Sequence, residues 1–250
     1  MRMIILCLVA PLCLAATVHA QEGRQPRQLI EGPTAGLLPR GSFGVDFRFY
    51  EGNGLLTSMA VGLFDRAMLG ISFGGQNVIR NHDIQWNPRL EFAARVRIID
   101  ENQSMPGIAI GYDSQGYGAY DEELSRYASK SKGLYGVLSK NYKSPLGQVG
   151  VHAGLNRSFE DGDEDNDLSG FAGIDKQFGK DFVVLAEYDF ALNDNEHNSL
   201  GSGKGYMNAA VRWSISNQFT LEFDVKHIFQ DGERNSNPDR ELRLVYFEQF

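Results

Sequence analysis

The chain has 250 residues, with 24 Lys and Arg against 32 Asp and Glu, so its formal net charge is −8. This length is enough for one or two domains with a sizeable core. The acidic balance and the lack of a basic patch argue against a nucleic-acid partner, because phosphate backbones are bound by clustered Lys and Arg side chains.

Residues 1–20 are predicted to be a secretory signal peptide. One arginine precedes a single apolar run, and the small residue expected before the cleavage point is Ala20. The run is too short and wrongly flanked for a membrane anchor. Cleavage removes both cysteines, Cys7 and Cys13, which leaves an exported chain without disulfides. That combination is typical of the bacterial envelope.

Residues 21–40 show no hydrophobic period and contain three prolines, Pro26, Pro33 and Pro39. Proline is excluded from regular helix and strand interiors, so this segment is not expected to form either. We predict a periplasmic segment that leads into the following domain, residues 41–250. The alternative is a short plug inside that domain.

From residue 41 onward, apolar and polar residues alternate with a period of two, which is the pattern of β-strands. The clearest case spans residues 89–99, where one face is apolar: Leu90, Phe92, Ala94, Val96 and Ile98. Such segments run for about nine to eleven residues, the length a tilted strand needs to cross a bilayer, whereas strands of globular proteins average about five or six. The chain is therefore predicted to be all-β, with a transmembrane antiparallel β-barrel.

The connections between the predicted strands alternate in length. We count about twelve strands, and ten or fourteen also fit because the strands at 67–74 and 107–113 are short. The short connections are 65–66, 100–106, 143–147, 178–181 and 216–218, and the long ones are 75–88, 114–131, 159–167, 193–204 and 231–239. The first connection, 52–53, is the exception, since it is short on the side of the long loops. Short periplasmic turns and long outer loops are typical of up-and-down barrels in the outer membrane of Gram-negative bacteria, which is the predicted location.

The polar faces of these strands carry the charges expected to line the barrel lumen. They are Asp46, Arg48, Arg89, Glu91, Arg95, Arg97, Glu187, Asp189, Arg212, Glu222, Asp224 and Lys226. The arginines of strand 89–99 and the acids of strand 182–192 lie on nearly opposite walls of a twelve-stranded ring. One interpretation is a hydrated lumen with a field across it. The other is a filled barrel in which the charges pair with neighbours, such as Arg212 with Glu222.

No catalytic set is recognised in the sequence, and we predict a protein without enzymatic activity. His152 lies on a strand, but the residue two positions later on its face is Gly154, and Ser158 is too far along the strand to reach it. We interpret His152 as a lumen or rim histidine.

Metal and cofactor sites are not predicted either. The remaining histidines lack metal-ligand spacing, and no cysteine survives cleavage. The acidic run from Glu160 to Asp167 lacks the glycine and glutamate of an EF-hand, since those positions are Asn166 and Ala172. A solvated acidic loop tip is the expected structure, with loose divalent bridging to lipopolysaccharide as a minor alternative.

The segments MPGIAIGYDSQGYGAY and SKSKGLYGVLSKNY resemble the YjbH-type outer-membrane barrels associated with exopolysaccharide production. The resemblance spans about residues 33–160 and is carried by Pro106, Ile108, Gly111, Asp113, Gly116, Gly118, Ser139 and Lys140. Members of that group often contain more than one barrel, whereas this chain would be a single-barrel member. The resemblance implies a role in exopolysaccharide export or assembly, polysaccharide as a partner, and no defined catalytic residues.

The longest predicted loop begins within the first of these two segments and ends at the start of the second. It holds the candidate binding residues Asp113, Gln115, Tyr117 and Tyr120, because aromatic rings with polar neighbours suit stacking on sugar rings. The alternative is an aromatic girdle at the membrane interface together with a loop that folds into the barrel mouth.

The last strand ends on an aromatic residue. Leu242, Leu244, Tyr246 and Phe250 are expected to face lipid, and Tyr246 with Phe250 resembles the carboxy-terminal signal read by the barrel-assembly machinery. Glu248 departs from that pattern. The strand is predicted to pair with the strand that begins near Gly41, which removes the free edge of the sheet.

Three functions are therefore open. They are envelope or exopolysaccharide export, a passive pore for small polar solutes, and a structural or adhesion barrel with a closed lumen. The expected partners are outer-membrane lipid, lipopolysaccharide and the assembly machinery.

Overall fold

The computed structural model describes residues 26–80, 83–145, 147–196, 199–201, 203–228 and 238–250. The predicted signal peptide, residues 1–20, lies outside these ranges. The strands in the first half of the chain are β1 (Ser42–Tyr50), β2 (Gly54–Phe64), β3 (Ala67–Gln76), β4 (Gln85–Trp86), β5 (Glu91–Ile99), β6 (Gly107–Asp113), β7 (Tyr117–Asp121) and β8 (Arg126–Ser129). Those in the second half are β9 (Gly133–Ser144), β10 (Gly147–Arg157), β11 (Ser169–Phe178), β12 (Phe182–Asp189), β13 (Tyr206–Ser214), β14 (Phe219–Lys226) and β15 (Asp239–Gln249).

Twelve of these strands close into one antiparallel barrel, as the sequence predicts. Each is bonded to the next along the chain, except that β3 pairs with β5 and β6 pairs with β9. The short strand β4 adds only a two-residue pairing to β3, and β7 pairs only with β8. The ring closes where β1 pairs with β15, with Phe43 opposite Glu248 and Phe49 opposite Leu242. Closure gives every barrel strand two neighbours and removes the sheet edge.

The two faces of the barrel have opposite chemistry. On β14, Phe223 is 55% exposed, whereas its neighbours Glu222 and Asp224 are buried, with exposed fractions of 0% and 2%. The same alternation runs around the ring, so that large apolar side chains cover the outside and charged side chains point inward. A water-soluble protein would reverse this arrangement, and the exposed apolar surface is matched by lipid instead. The barrel is therefore a transmembrane one.

The two ends of the barrel differ in the length of their connections. The turn end carries the short connections 65–66, 100–106, 145–146, 179–181 and 215–218. The loop end carries the longer ones, 77–90, 114–132, 158–168, 190–205 and 227–238. Among the described residues, no helix has the length and apolar composition needed to cross a bilayer.

Residues 26–38, here called the plug, lie inside the barrel and not in the periplasm as predicted for 21–40. Leu29 and Ile30 are completely buried. The wall accommodates the chain through glycines: a Cβ at Gly62 would lie 2.0 Å from the Pro39 carbonyl oxygen, and one at Gly173 would lie 2.5 Å from a Leu29 methyl group. Residues 26–38 therefore match the alternative prediction, a plug inside the barrel. Residues 21–25 lie outside the part of the chain that the structure describes.

The carboxy-terminal residues are held by the first strand and by each other. The Phe250 ring stacks on Phe43 with centroids 5.5 Å apart, and the Phe250 N–H donates to the Gly41 carbonyl at 2.9 Å. The unusual Glu248 accepts hydrogen bonds from the Tyr246 hydroxyl at 2.6 Å and from the Gln218 amide at 3.1 Å. A carboxylate on the outward face is thus satisfied by polar neighbours at the turn end.

Candidate functional site

The plug forms a tight turn, and many of its main-chain N–H and C=O groups face the barrel wall. The Leu29 N–H donates to the Gly32 carbonyl at 2.9 Å, and the Thr34 N–H donates to the Arg27 carbonyl at 3.2 Å. This turn leaves the N–H groups of residues 30–32 and several carbonyl groups without partners inside the plug itself. Buried backbone groups need partners, so the wall has to supply them.

Glu187 on β12 supplies the acceptor. Its carboxylate accepts the N–H groups of three consecutive residues, Ile30 at 3.1 Å, Glu31 at 3.1 Å and Gly32 at 2.7 Å. Successive N–H groups that converge on one point form an anion-binding concavity, and here the anion is a side chain of the wall.

Three arginines supply the donors for the plug carbonyls. Their bonds are Arg48 Nη2 to Ile30 O at 2.8 Å, Arg212 Nη2 to Leu29 O at 3.0 Å, and Arg95 Nη1 to Gly36 O at 2.8 Å. Arg95 also donates through Nε to the Tyr135 hydroxyl at 2.8 Å. Of these arginines, only Arg95 on β5 belongs to the wall expected opposite Glu187, since Arg48 lies on β1 and Arg212 on β13, next to β12. Glu187 and the three arginines together hold the two polar sides of one peptide turn.

The other lumen charges form a paired network. Arg243 donates to Asp46 at 2.6 Å and to Glu222 at 3.1 Å, and Glu222 also binds Arg212. Further along the same three strands, β1, β14 and β15, Glu241 binds Arg48 at 2.9 Å and Lys226 at 2.8 Å, and Lys226 also contacts Glu31 of the plug. The described lumen is thus filled and internally compensated, which is the second of the two interpretations.

Three predicted lumen charges, Arg89, Arg97 and Asp189, lie toward the ends of the barrel. Arg89 precedes β5 and its side chain is 53% exposed, so it is not a lumen residue; it reaches back to the buried Glu91 at 2.8 Å. Arg97 contacts Asp100 at the turn end. Asp189 at the loop end binds Lys132. The position of Arg89 differs from the prediction because β5 begins two residues later than expected.

Asp224 remains the least compensated lumen charge. Its side chain is completely buried, and neither carboxylate oxygen has a hydrogen-bond partner in the described structure. The nearest cationic atom is Arg48 Nη1, at 4.0 Å.

The loop after β6 folds into the barrel mouth. Its strands β7 and β8 form the mouth hairpin, residues 117–129. Arg126 of this hairpin is fully buried and binds Asp163 at 2.5 Å and Asp194 at 2.6 Å, while Lys130 binds Asp163 at 2.7 Å. The acidic run at 160–167 is therefore only partly solvated, because Glu160, Asp163 and Asp165 are buried and Asp163 pairs with the basic side chains of this loop. Its other acids, Asp161, Glu164 and Asp167, are exposed.

The candidate binding residues of this loop are mostly turned inward. Asp113 accepts the Gln115 N–H at 3.0 Å, and the buried Gln115 accepts the Ser72 hydroxyl at 2.8 Å. Tyr117 is buried with its ring 4.6 Å from the Arg48 guanidinium, and its hydroxyl accepts a hydrogen bond from Gln28 of the plug. The fold thus brings Asp113, Gln115 and Tyr117 into the lumen.

Tyr120 stays at the mouth and lines a cavity there. It stacks edge-on against Tyr127, with ring centroids 5.0 Å apart. The mouth cavity beside it measures about 430 Å³ and opens at the loop end. A smaller inner cavity of about 100 Å³ lies deeper, next to the plug. Tyr117 lines both, so this ring and its contacts separate the two spaces.

His152 has partners that the sequence analysis missed. Its Nδ1 lies 2.7 Å from Ser139 Oγ on β9, and its Nε2 lies 2.8 Å from Asp175 Oδ2 on β11. The Ala35 N–H of the plug also donates to Ser139 Oγ, at 2.8 Å. The residues along its own strand offer His152 no partner, whereas Ser139 and Asp175 lie on the two neighbouring strands. The strand register, which pairs His152 with Ser139, is the signal that would have found them.

The loop after β10 contains a carboxyl group whose pKa is shifted. Burial raises the pKa of Glu160 to about 7, against 4.5 for an ordinary glutamate. One of its oxygens accepts the Ser131 N–H at 2.9 Å, and the other has no partner in the described structure. A neutral carboxyl tolerates this burial better than a carboxylate does.

We expect the loop that buries Glu160 to lose stability as the pH rises from 4.5 to about 7. Over that interval the folded loop retains a proton that the unfolded chain has lost, so the stability of the loop falls with rising pH. Amide hydrogen exchange at Ser131 measures this, with Glu160→Gln as the matched variant at each pH. The protection ratio of wild type to variant should fall with pH; a constant ratio would contradict the prediction.

Comparison with known proteins finds solved barrels of low similarity. No family model matches, and no curated protein matches. The KdgM porin is 11% identical with a TM-score of 0.49, covering 84% of this chain and 99% of its own. The NanC porin is 10% identical, with a TM-score of 0.46 and coverage of 82% and 99%. An outer-membrane channel from Pseudomonas putida F1 is 14% identical, with a TM-score of 0.41 and coverage of 86% and 97%.

Among the described residues, no group of three or more His, Cys, Asp or Glu side chains is arranged to hold a metal ion.

Proposed function

We propose that the protein is an outer-membrane pore for small polar solutes, and that residues 26–38 are its gate. The observation that carries this proposal is how the plug is held. The wall binds it through main-chain groups, with Glu187 on its N–H groups and Arg48, Arg95 and Arg212 on its carbonyls. If the plug leaves, these side chains line a polar passage.

The chemistry of the wall also favours a pore over a purely structural barrel. Buried charges are costly, and packed apolar residues often replace an ion pair without loss of stability. A barrel with no passage to serve would be about as stable with an apolar interior. In water the same groups are solvated, which makes the open state accessible.

The path has two parts along the barrel axis. The mouth cavity leads inward from the loop end to Tyr117, and the inner cavity continues from Tyr117 to the plug residues Arg27 and Glu31. We place the turn end in the periplasm, as expected for short connections, so the gate closes the periplasmic half. Export through a signal peptide cleaved after Ala20, and contact with lipopolysaccharide and the assembly machinery, belong to the same proposal.

A reversible lock tests the gate. A Cβ at Gly107 would lie 3.4 Å from the Ala35 Cβ, close to the spacing of disulfide-bonded cysteines, about 3.5–4.5 Å. The variant Ala35→Cys with Gly107→Cys should be closed in planar bilayers when oxidised and should regain wild-type openings after reduction. The single variant Ala35→Cys should respond to neither treatment.

Deletion of residues 26–38 is the complementary test. The deleted barrel should conduct continuously, and heat-modifiable migration in detergent gels verifies that it is folded. Deleting residues 117–129 as well should raise the conductance further, because the mouth hairpin narrows the loop end. A folded barrel that lacks the plug and still does not conduct would contradict the proposal.

The exopolysaccharide role implied by the sequence resemblance makes a different prediction. Loss of a surface polysaccharide on gene deletion, without loss of small-solute uptake, would favour that role over the pore.

A further inference from the structure

Ser129, His227 and Asp239 meet at the barrel mouth, although they lie on different elements. Ser129 ends β8, His227 follows β14, and Asp239 begins β15. Asp239 Oδ2 lies 2.8 Å from His227 Nδ1, and His227 Nε2 lies 3.3 Å from Ser129 Oγ. All three side chains line the mouth cavity of about 430 Å³. This is the order of groups in a serine nucleophile activated by histidine and oriented by a carboxylate.

The orientation of His227 is fixed from several sides. A carboxylate only accepts, so contact with Asp239 places a proton on Nδ1 and turns Nε2 toward Ser129. The Tyr206 ring lies against the imidazole with centroids 4.7 Å apart, and the His227 N–H donates to Asn208 Oδ1 at 3.0 Å. The backbone φ of His227 is +56°, a conformation that costs energy for a residue with a side chain. Strain of this kind is concentrated at functional sites.

The second array, Ser139–His152–Asp175, lacks these properties. Its histidine nitrogens are used in the opposite order, with Ser139 on Nδ1 and Asp175 on Nε2. Ser139 Oγ also accepts the Ala35 N–H of the plug. That array anchors the plug, whereas the array at the mouth faces an open cavity.

We propose that Ser129 is the nucleophile of an esterase site at the barrel mouth, with His227 as general base and acid and Asp239 as the positioning residue. Ser129 Oγ attacks the ester carbonyl carbon while its proton passes to His227 Nε2. The carbon–oxygen bond to the alcohol then breaks, and His227 returns the proton to the leaving oxygen. Water, deprotonated by His227, cleaves the acyl–serine, releases the carboxylic acid and restores the Ser129 hydroxyl.

The lining of the mouth cavity indicates the substrate class. Carboxylates of Glu51, Asp121 and Asp239 line it, whereas the cation Lys226 and the carboxylate of Glu241 compensate each other. Such a lining disfavours anionic substrates and accepts neutral or cationic ones. The cavity is of small-ligand size, so the substrate is a short-chain acyl ester of a neutral or cationic polar alcohol.

A fluorophosphonate probe tests the nucleophile without knowledge of the natural ester. The full-length protein in detergent micelles should be labelled, and peptide mass spectrometry should place the adduct on Ser129. Ser129→Ala should abolish labelling and hydrolysis of p-nitrophenyl acetate. Ser131→Ala, on the same loop, should leave both unchanged.

Asp239→Asn separates positioning from simple structural support. Labelling should slow by roughly 10²–10⁴-fold, the range of general-base catalysis, while the folded barrel keeps its heat-modifiable migration. Absence of an adduct in the folded wild type, or an adduct that persists in Ser129→Ala, would overturn the proposal.

Discussion

Replacing Arg243 by alanine is expected to destabilise the barrel by about 3–5 kcal/mol, the typical effect of removing one partner of a buried ion pair. Arg243 bridges Asp46 at 2.6 Å and Glu222 at 3.1 Å, and both carboxylates are buried. Glu222 keeps Arg212 as a partner, whereas Asp46 loses Arg243, the cation that pairs with it from the neighbouring strand. The loss therefore comes chiefly from an uncompensated Asp46.

Urea unfolding in lipid vesicles, followed by tryptophan fluorescence, measures this effect. Arg240→Ala is the matched control, because Arg240 lies on the same strand with an exposed side chain. Adding Asp46→Asn to Arg243→Ala should recover part of the lost stability by removing the unpaired charge. Equal stabilities for the Arg240 and Arg243 variants would show that the ion-pair network contributes little.

Replacing Glu187 by alanine is expected to release the plug. The change leaves the N–H groups of Ile30, Glu31 and Gly32 without their acceptor, and each unpaired buried donor costs about 1–3 kcal/mol. Since 1.4 kcal/mol is a factor of ten, the open fraction should rise by about 10²-fold or more. Single-channel recording measures the open fraction, and hydrogen exchange at these three residues reports the plug directly.

The control for Glu187 is Asp181→Ala, which removes an exposed acid at the turn before the same strand. It should leave both the open fraction and the exchange rates unchanged. Wild-type exchange rates in the Glu187 variant would mean that other contacts hold the plug. Faster exchange without any conductance would support the contact between Glu187 and the plug but would contradict the role of the plug as a gate.

Much of the barrel was predictable because strand alternation is a local property. The bounds of β2 and β6 agree with the predicted 54–64 and 107–113, and the last strand pairs with the first as expected. Each barrel strand must turn its apolar side chains to lipid, so every segment carries the pattern by itself. The plug carries no such pattern, because its main chain and not its side chains makes most of the polar contacts.

The sequence alone determined that the chain is an all-β barrel with a charged interior and a membrane-facing exterior. The tertiary structure decided what that interior does. Ring closure brings Glu187 and three arginines to one peptide turn, and it brings Ser129 to His227 and Asp239 from distant parts of the chain. These contacts depend on strand register and on loops that fold back into the mouth. Both are set by long-range pairing, which no local window of residues records.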